Sequence, residues 1–191
     1  INMTIVEITG QPCAGKTSYI SDTLSIYENT GSANGTLIQK IYFFLYGVQY
    51  LKTARIRQLL KWSFKENASI FFKLNIFRNA VTKFGMFNKR HDINLKNEQN
   101  FLLDEGISHL PFLFLETDTT KVVQFIFNEL QQVDVVLLKS PGQGQIKERL
   151  TKRGHKRLQF LPLSNFADRN REIEEVLVHS YANFCHDFKV K

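Results

Sequence analysis

The stretch Gly10-Gln11-Pro12-Cys13-Ala14-Gly15-Lys16-Thr17 follows the pattern of a glycine, four open positions, Gly-Lys and then a hydroxyl residue. That spacing lets consecutive backbone N–H groups curl around an anionic phosphate, which is the chemistry of a P-loop. Glycine at 10 and 15 allows both the curl and the close approach. Lys16 is then placed to reach the outer phosphates and Thr17 to offer a hydroxyl to Mg²⁺. The positive end of the helix that follows faces the same anion. The flanks agree with this reading. Met3 to Ile8 is a short β-branched run of strand type, and Ile20, Leu24 and Tyr27 recur at helical spacing. A strand running through such a loop into a helix restricts the chain to an α/β fold, with Gly10 through Ser18 as the candidate nucleotide-binding segment.

A length of 191 residues, with no Pro/Gly/Ser-rich linker, supports one domain over 1–191. The balance of 25 basic against 18 acidic residues gives +7, which suits a polyanionic partner, and phosphorylated small molecules satisfy it as well as nucleic acid does. Two cysteines, Cys13 and Cys185, and no charged-then-apolar leader pattern point to a cytoplasmic protein without a disulfide framework. The longest apolar run, Ile41 to Leu51, falls well short of the roughly 20 residues that span a bilayer, so no membrane partner is expected.

Along the chain, Glu28 to Gly35 reads as a loop, and Thr36 to Phe44 fits either a second strand or the start of a buried helix. Lys52 to Phe84 is helical in pattern. Leu51, Ile56, Leu59 and Leu60 form one apolar stripe, and Ile70, Leu74, Phe77, Val81 and Phe84 form another. Lys61, Lys65, Lys73, Arg78, Lys83 and their neighbours are assigned to solvated faces. Segment 36–100 is therefore expected to be a mainly helical insertion, ending in a polar loop over 87–100. Phe101-Leu102-Leu103-Asp104-Glu105-Gly106 is a strand that ends in acid, the Walker B pattern, which carries a carboxylate to the sheet edge where it can hold Mg²⁺. Helices are expected over 106–115 and 119–130, a buried parallel strand over Val133–Leu138, a helix with Ile146 and Leu150 inward, a helix over Asp168–Phe184, and a short closing strand at Phe188–Val190. Arg149, Arg153 and Arg157 fall at i, i+4 and i+8, which would line one helical face, with Gly154 as a place to bend. The five histidines show no metal-ligand spacing.

The P-loop, the strand ending in Asp104-Glu105-Gly106, and the run from Val133 through Arg149-Leu150-Thr151-Lys152-Arg153-Gly154 together resemble the P-loop kinases, nearest to the thymidylate-kinase-like group of nucleoside and nucleotide kinases. The resemblance implies a three-layer P-loop NTPase fold with a parallel sheet, ATP as donor, Mg²⁺ as cofactor, and a short lid at 149–162 carrying the Arg-Leu-x-x-Arg-Gly pattern. Between Thr36 and Asn100 there is no counterpart of that group's substrate-binding Asp-Arg motif, so the acceptor stays open.

The expected function is ATP-dependent phosphoryl transfer to a small acceptor. Lys16 and the loop amides hold phosphates, Thr17 and Asp104 hold Mg²⁺, Glu105 orients or deprotonates an acceptor hydroxyl, Arg149 and Arg157 contact nucleotide, and Arg153 neutralises the transferring group. The alternative is a P-loop nucleotide-binding module whose basic insertion binds nucleic acid or a protein partner, with Lys61-Trp62-Ser63-Phe64-Lys65 offering aromatics between cations for base stacking. Homodimerisation is left open.

Overall fold

Strand β1 (Ile5–Thr9) forms the centre of the molecule because every one of its five side chains is buried. A strand buried on both faces must be apolar nearly throughout, and here the exceptions are Glu7 and Thr9. The computed structural model describes residues 5–23, 29–32, 36–97, 101–154 and 156–191. After β1 come α1 (Lys16–Thr23), β2 (Asn29–Ser32), α2 (Leu37–Tyr50), α3 (Thr53–Lys65), α4 (Ile70–Asn97) and β3 (Phe101–Asp104). A 3₁₀ helix (Ile107–Phe112) leads to α5 (Thr119–Phe125), α6 (Phe127–Leu130) and β4 (Asp134–Leu137). Then follow α7 (Gln143–Arg153), a 3₁₀ turn (Lys156–Gln159), α8 (Leu163–Phe184) and β5 (Asp187–Val190). The expected residues Met3, Leu24 and Tyr27 lie outside the described residues.

The sheet is five-stranded and parallel at each pairing, in the order β2-β3-β1-β4-β5. Its alternating side chains split the core into two parts. Val6, Ile8, Leu102, Val136 and Leu138 face α1, where Ala14, Tyr19 and Ile20 pack on them. Ile5, Leu103, Val135 and Leu137 face the larger cluster, which includes Leu59, Trp62 and Phe84 of the insertion and Ile173, Leu177 and Tyr181 of α8. The helical insertion thus shares one core with the sheet. Among the described residues no helix is long and apolar enough to cross a membrane.

Several local expectations are corrected. Segment 28–35 contains strand β2, which takes its ladder from β3 in register Asn29↔Phe101 to Ser32↔Asp104. Pairing with a formed neighbour overrides a poor strand composition. At Thr36 the choice between strand and helix falls to helix. The Thr36 hydroxyl accepts from Gln39 N at 3.3 Å, and the Gln39 side chain accepts from Thr36 N at 2.9 Å, a capping box that starts α2.

The polar stretch read as a loop over 87–100 instead continues α4 as far as Asn97, and 98–100 lie outside the described residues. Its polar side chains have partners: Tyr46 donates to Asp92 at 2.8 Å, and the Arg90 guanidinium lies over the Phe101 ring. On α4 the buried apolar side chains are Ile76, Ala80, Val81, Phe84, Met86 and Phe87, while Ile70 and Leu74 are exposed.

Segment 106–115 contains only the short 3₁₀ helix, with Pro111 inside it, and the helix expected over 119–130 breaks at Ile126. α8 begins at Leu163, earlier than expected. Trp62 does not face solvent. It is buried, edge-on to Phe114 and Phe125 at 5.5 and 4.9 Å, and is therefore withdrawn from base stacking.

Beyond α7, Gly154 takes the left-handed conformation (φ 58°) and turns the chain off the helix axis. Arg157 therefore leaves the stripe shared by Arg149 and Arg153. It is buried, pairs with Glu66 at 3.3 Å and donates to the Leu113 carbonyl. Burial raises the Glu66 pKa and lowers that of Arg157, so desolvation outweighs the attraction within the pair. Glu66→Ala is expected to remove about 3 kcal/mol of unfolding free energy by stranding a buried guanidinium. Urea denaturation measures this, and a loss well under 1 kcal/mol would mean that Arg157 finds another acceptor.

Candidate active site

β1 ends at the place where two neighbouring connections part. The chain leaving β1 enters α1 on one face, whereas the chain leaving β3 enters the 3₁₀ helix on the other. Such a divergence opens a crevice at the carboxyl ends of parallel strands. Glu105 N donates to Ile8 O at 3.0 Å and Leu138 N to Thr9 O at 2.9 Å, which fixes the rims of that crevice.

The loop from Gly10 to Gly15 is wound tightly, with φ of 146° at Gly10, 69° at Cys13 and 98° at Gly15. At Gly10 a Cβ would also come within 2.7 Å of the Leu138 carbonyl oxygen, so a side chain is excluded on two counts. The Lys16 ammonium turns back into the loop. It donates to the carbonyls of Gly10 and Gln11, both at 2.9 Å, and pairs with Glu105 Oε1 at 3.0 Å.

Asp104 and Glu105 stand side by side in unlike environments. Asp104 Oδ1 is buried and has no hydrogen-bond partner among the described residues. Burial, then the charge of Glu105, raises the Asp104 pKa against the pull of Lys16 and Lys83. For Glu105, burial works upward, but the charges of His109, Lys16 and Lys83 outweigh it and hold the carboxyl well below the usual range. His109, 3.6 Å from Glu105 Oε2, is itself pushed well below 6.5 by burial, against the pull of the Glu105 charge. Lys16, at 3.0 Å, is the cation in direct contact with the Glu105 carboxylate.

A cleft of about 370 Å³ joins these groups. Pro12, Cys13, Gly15, Lys16, Thr17 and Ser18 of the loop and α1 line it together with Asp104, Glu105 and His109. Phe112, Leu113, Arg153, Arg157 and Phe166 complete the lining. Arg149 stands outside the lining but donates to the Cys13 carbonyl at 3.1 Å, so α7 is tied to the loop. Two loop residues face elsewhere. Ala14 packs on the α1 side of the sheet, and Gln11 is buried with its amide donating to Glu174 of α8 at 3.3 Å. Glu174 also accepts from Ser140 Oγ at 2.5 Å and so binds the glycine loop to the segment after β4.

Four residues that carry the site were not assigned to it from the sequence. Glu7, buried in mid-strand, accepts from the amides of Ile107 and Ser108 at 3.1 and 2.7 Å and anchors the 3₁₀ helix behind Glu105. Any Cβ at Gly106 would overlap the Glu7 carboxylate, which is why glycine follows Glu105. Lys83, assigned to a solvated face, is buried, and its ammonium donates to the Glu105 carbonyl. His109 and Glu174 complete the set. An acid within an otherwise apolar strand was the available signal for Glu7. Nothing local distinguished Lys83 from the other cations of the insertion.

The residues present suit a nucleotide and a divalent ion. The wound loop leaves no room for a side chain at Gly10, Thr17 and Asp104 open into one cleft, and a buried carboxylate oxygen lacks a partner. Among the described residues no group of three or more His, Cys, Asp or Glu could enclose a metal. Protein-family models and curated proteins were both searched with the sequence, and none matches it.

Proposed function

We propose that this chain is an ATP-dependent phosphotransferase acting on a small acceptor. The observation that carries this reading is the convergence, in one cleft, of Lys16 at the head of the wound loop with the unpartnered Asp104 oxygen and the ionised Glu105. Each group then has a defined task. The Lys16 ammonium exchanges the Gly10 and Gln11 carbonyls for phosphate oxygens, a switch between acceptors that lie within its reach. Mg²⁺, when bound, neutralises charge on the phosphates, and Thr17 and Asp104 are the residues that would hold it, together with phosphate oxygens and water. Arg153 reaches in from the end of α7 and supplies charge to the transferring group, while Arg149 steadies the loop through Cys13. Glu105 accepts the hydrogen bond of the attacking group and orients it.

The test is ligand-dependent stabilisation followed by turnover. Mg-ATP at about 100 times its Kd should add about 2.7 kcal/mol to stability, and ADP should be released when a competent acceptor is present. Mg-ATP that leaves the melting temperature unchanged would remove the reading. The two arginines should separate kinetically. Arg153→Ala is expected to lower kcat by about tenfold to a thousandfold with little change in nucleotide affinity, because it deletes charge used mainly in the transition state. Arg149→Ala should instead weaken ATP binding by loosening the loop carbonyl it holds. Equal, small effects of both substitutions on every constant would leave the pair as surface charge.

A further inference from the structure

Glu105 also borders a second compartment. A cavity of about 250 Å³ lies on its other side and shares the wall made by Glu105 and Leu113. Lys40 of α2 and Arg78, Asn79, Thr82 and Lys83 of α4 form the rest of its polar lining. Three basic side chains thus share this lining with one carboxylate, and burial lowers the Lys83 pKa against the pull of Glu105. Lys83 is committed to the Glu105 carbonyl, but the other two have no counter-charge among the described residues. Arg78 donates to the side-chain oxygens of Asn75 and Asn79, both neutral, at 2.6 and 3.4 Å. Lys40 is half-buried and joins no ion pair among the described residues. Arg78 precedes Lys83 by five residues on α4, about 7.5 Å along the helix axis at 1.5 Å per residue.

The two kinds of charge select for different parts of a ligand. The Glu105 carboxylate on the shared wall, ion-paired with Lys16 at 3.0 Å, offers only acceptor oxygens, so the group brought against it is a hydroxyl that can donate to it. Arg78 and Lys40 favour an anionic group, for which a guanidinium offers a fork of donors. We propose that this compartment receives the phosphoryl acceptor, and that the acceptor is a small hydroxy compound bearing a separate phosphate or carboxylate group, its hydroxyl at Glu105 and its anion at Arg78 and Lys40. The inference rests on the phosphotransfer reading and adds the acceptor class to it. In the step itself the acceptor oxygen forms a bond to the γ-phosphorus, the bond from that phosphorus to the β-bridging oxygen breaks, and ADP leaves with the electron pair. The hydroxyl proton is released to solvent, Glu105 holding the hydroxyl by its hydrogen bond until then.

The experiment measures ADP release by the full chain with Mg-ATP and matched acceptors: a hexose, its 6-phosphate, the corresponding hexonic acid, a nucleoside and its 5′-monophosphate. Turnover is expected with the anion-bearing hydroxy compounds, and the better of phosphate and carboxylate identifies the anion. Arg78→Ala, which removes an exposed side chain, should raise the KM for those acceptors about tenfold or more and leave kcat within about twofold. Turnover confined to uncharged acceptors, or a nucleoside diphosphate formed from the monophosphate, overturns the proposal while phosphotransfer stands. Absence of any Mg-ATP binding removes the phosphotransfer reading instead. If ATP binds and no acceptor turns over, inorganic phosphate is titrated calorimetrically into protein saturated with Mg²⁺ and a non-hydrolysable ATP analogue. Binding that is weakened about tenfold in both Arg78→Ala and Lys40→Ala supports the site, and no binding, or binding unchanged in these variants, overturns it.

Discussion

Lys16→Ala is expected to lower phosphoryl transfer by about a hundredfold to a thousandfold or more, the effect of deleting one preorganised charge aimed at a developing anion. The Lys16 ammonium serves two loop carbonyls and Glu105, and the Glu105 side chain is 34 % exposed, so water can replace the lost partner. The fold should therefore survive, with an urea midpoint near that of the wild type. The pH dependence of stability should change in a defined direction. Glu105 has its pKa depressed from 4.5 in the folded state, so its ionised form contributes stability that is present above that value and is lost as pH falls below it. Without Lys16 that contribution shrinks, and the acid limb of the stability curve should flatten. Wild-type turnover in a folded Lys16→Ala protein would end the assignment of the loop.

Asp104→Asn should separate function from stability more sharply still. Turnover is expected to fall by at least about a hundredfold and to lose its ordinary Mg²⁺ dependence, because the amide keeps the shape but not the charge that would hold the ion. Stability should move the other way. The Asp104 pKa is raised from 3.8, first by burial and then by Glu105, so its ionised form is disfavoured by folding, and that penalty is present at neutral pH and relieved as pH falls. The neutral amide removes the penalty. Its melting temperature at pH 7 is expected to equal or exceed that of the wild type, as befits a residue kept for function at a cost in stability. An unchanged magnesium titration, or a marked loss of stability, would return Asp104 to an ordinary strand-end acid.

The alternative of a nucleic-acid-binding module has lost its main sequence support. The aromatic set between cations was Lys61-Trp62-Ser63-Phe64-Lys65, and of its two rings Trp62 lies in the core. Phe64 remains exposed, but one ring makes no stacking platform.

What the sequence determined by itself were the parts whose physics is local. The run from Gly10 to Thr17 specifies a wound loop because its glycines stand where the backbone takes positive φ, and Val133–Leu138 specifies a buried strand because every residue but Asp134 is apolar. Asp104 at a strand end, Ile146 and Leu150 inward on α7, and the short closing strand were legible for the same reason. Tertiary structure alone decided the rest. β2 exists because β3 offers it a ladder, and α4 runs on past Phe87 because Tyr46 and Phe101 meet its polar side chains. Lys83, one cation among many in the insertion, is buried against the Glu105 carbonyl, and Arg157 leaves its helical stripe to pair with Glu66, 91 residues away in sequence. Spacing along a helix states which side chains share a face, but the charge and burial of each are set by the elements packed against that face, and those come from distant parts of the chain.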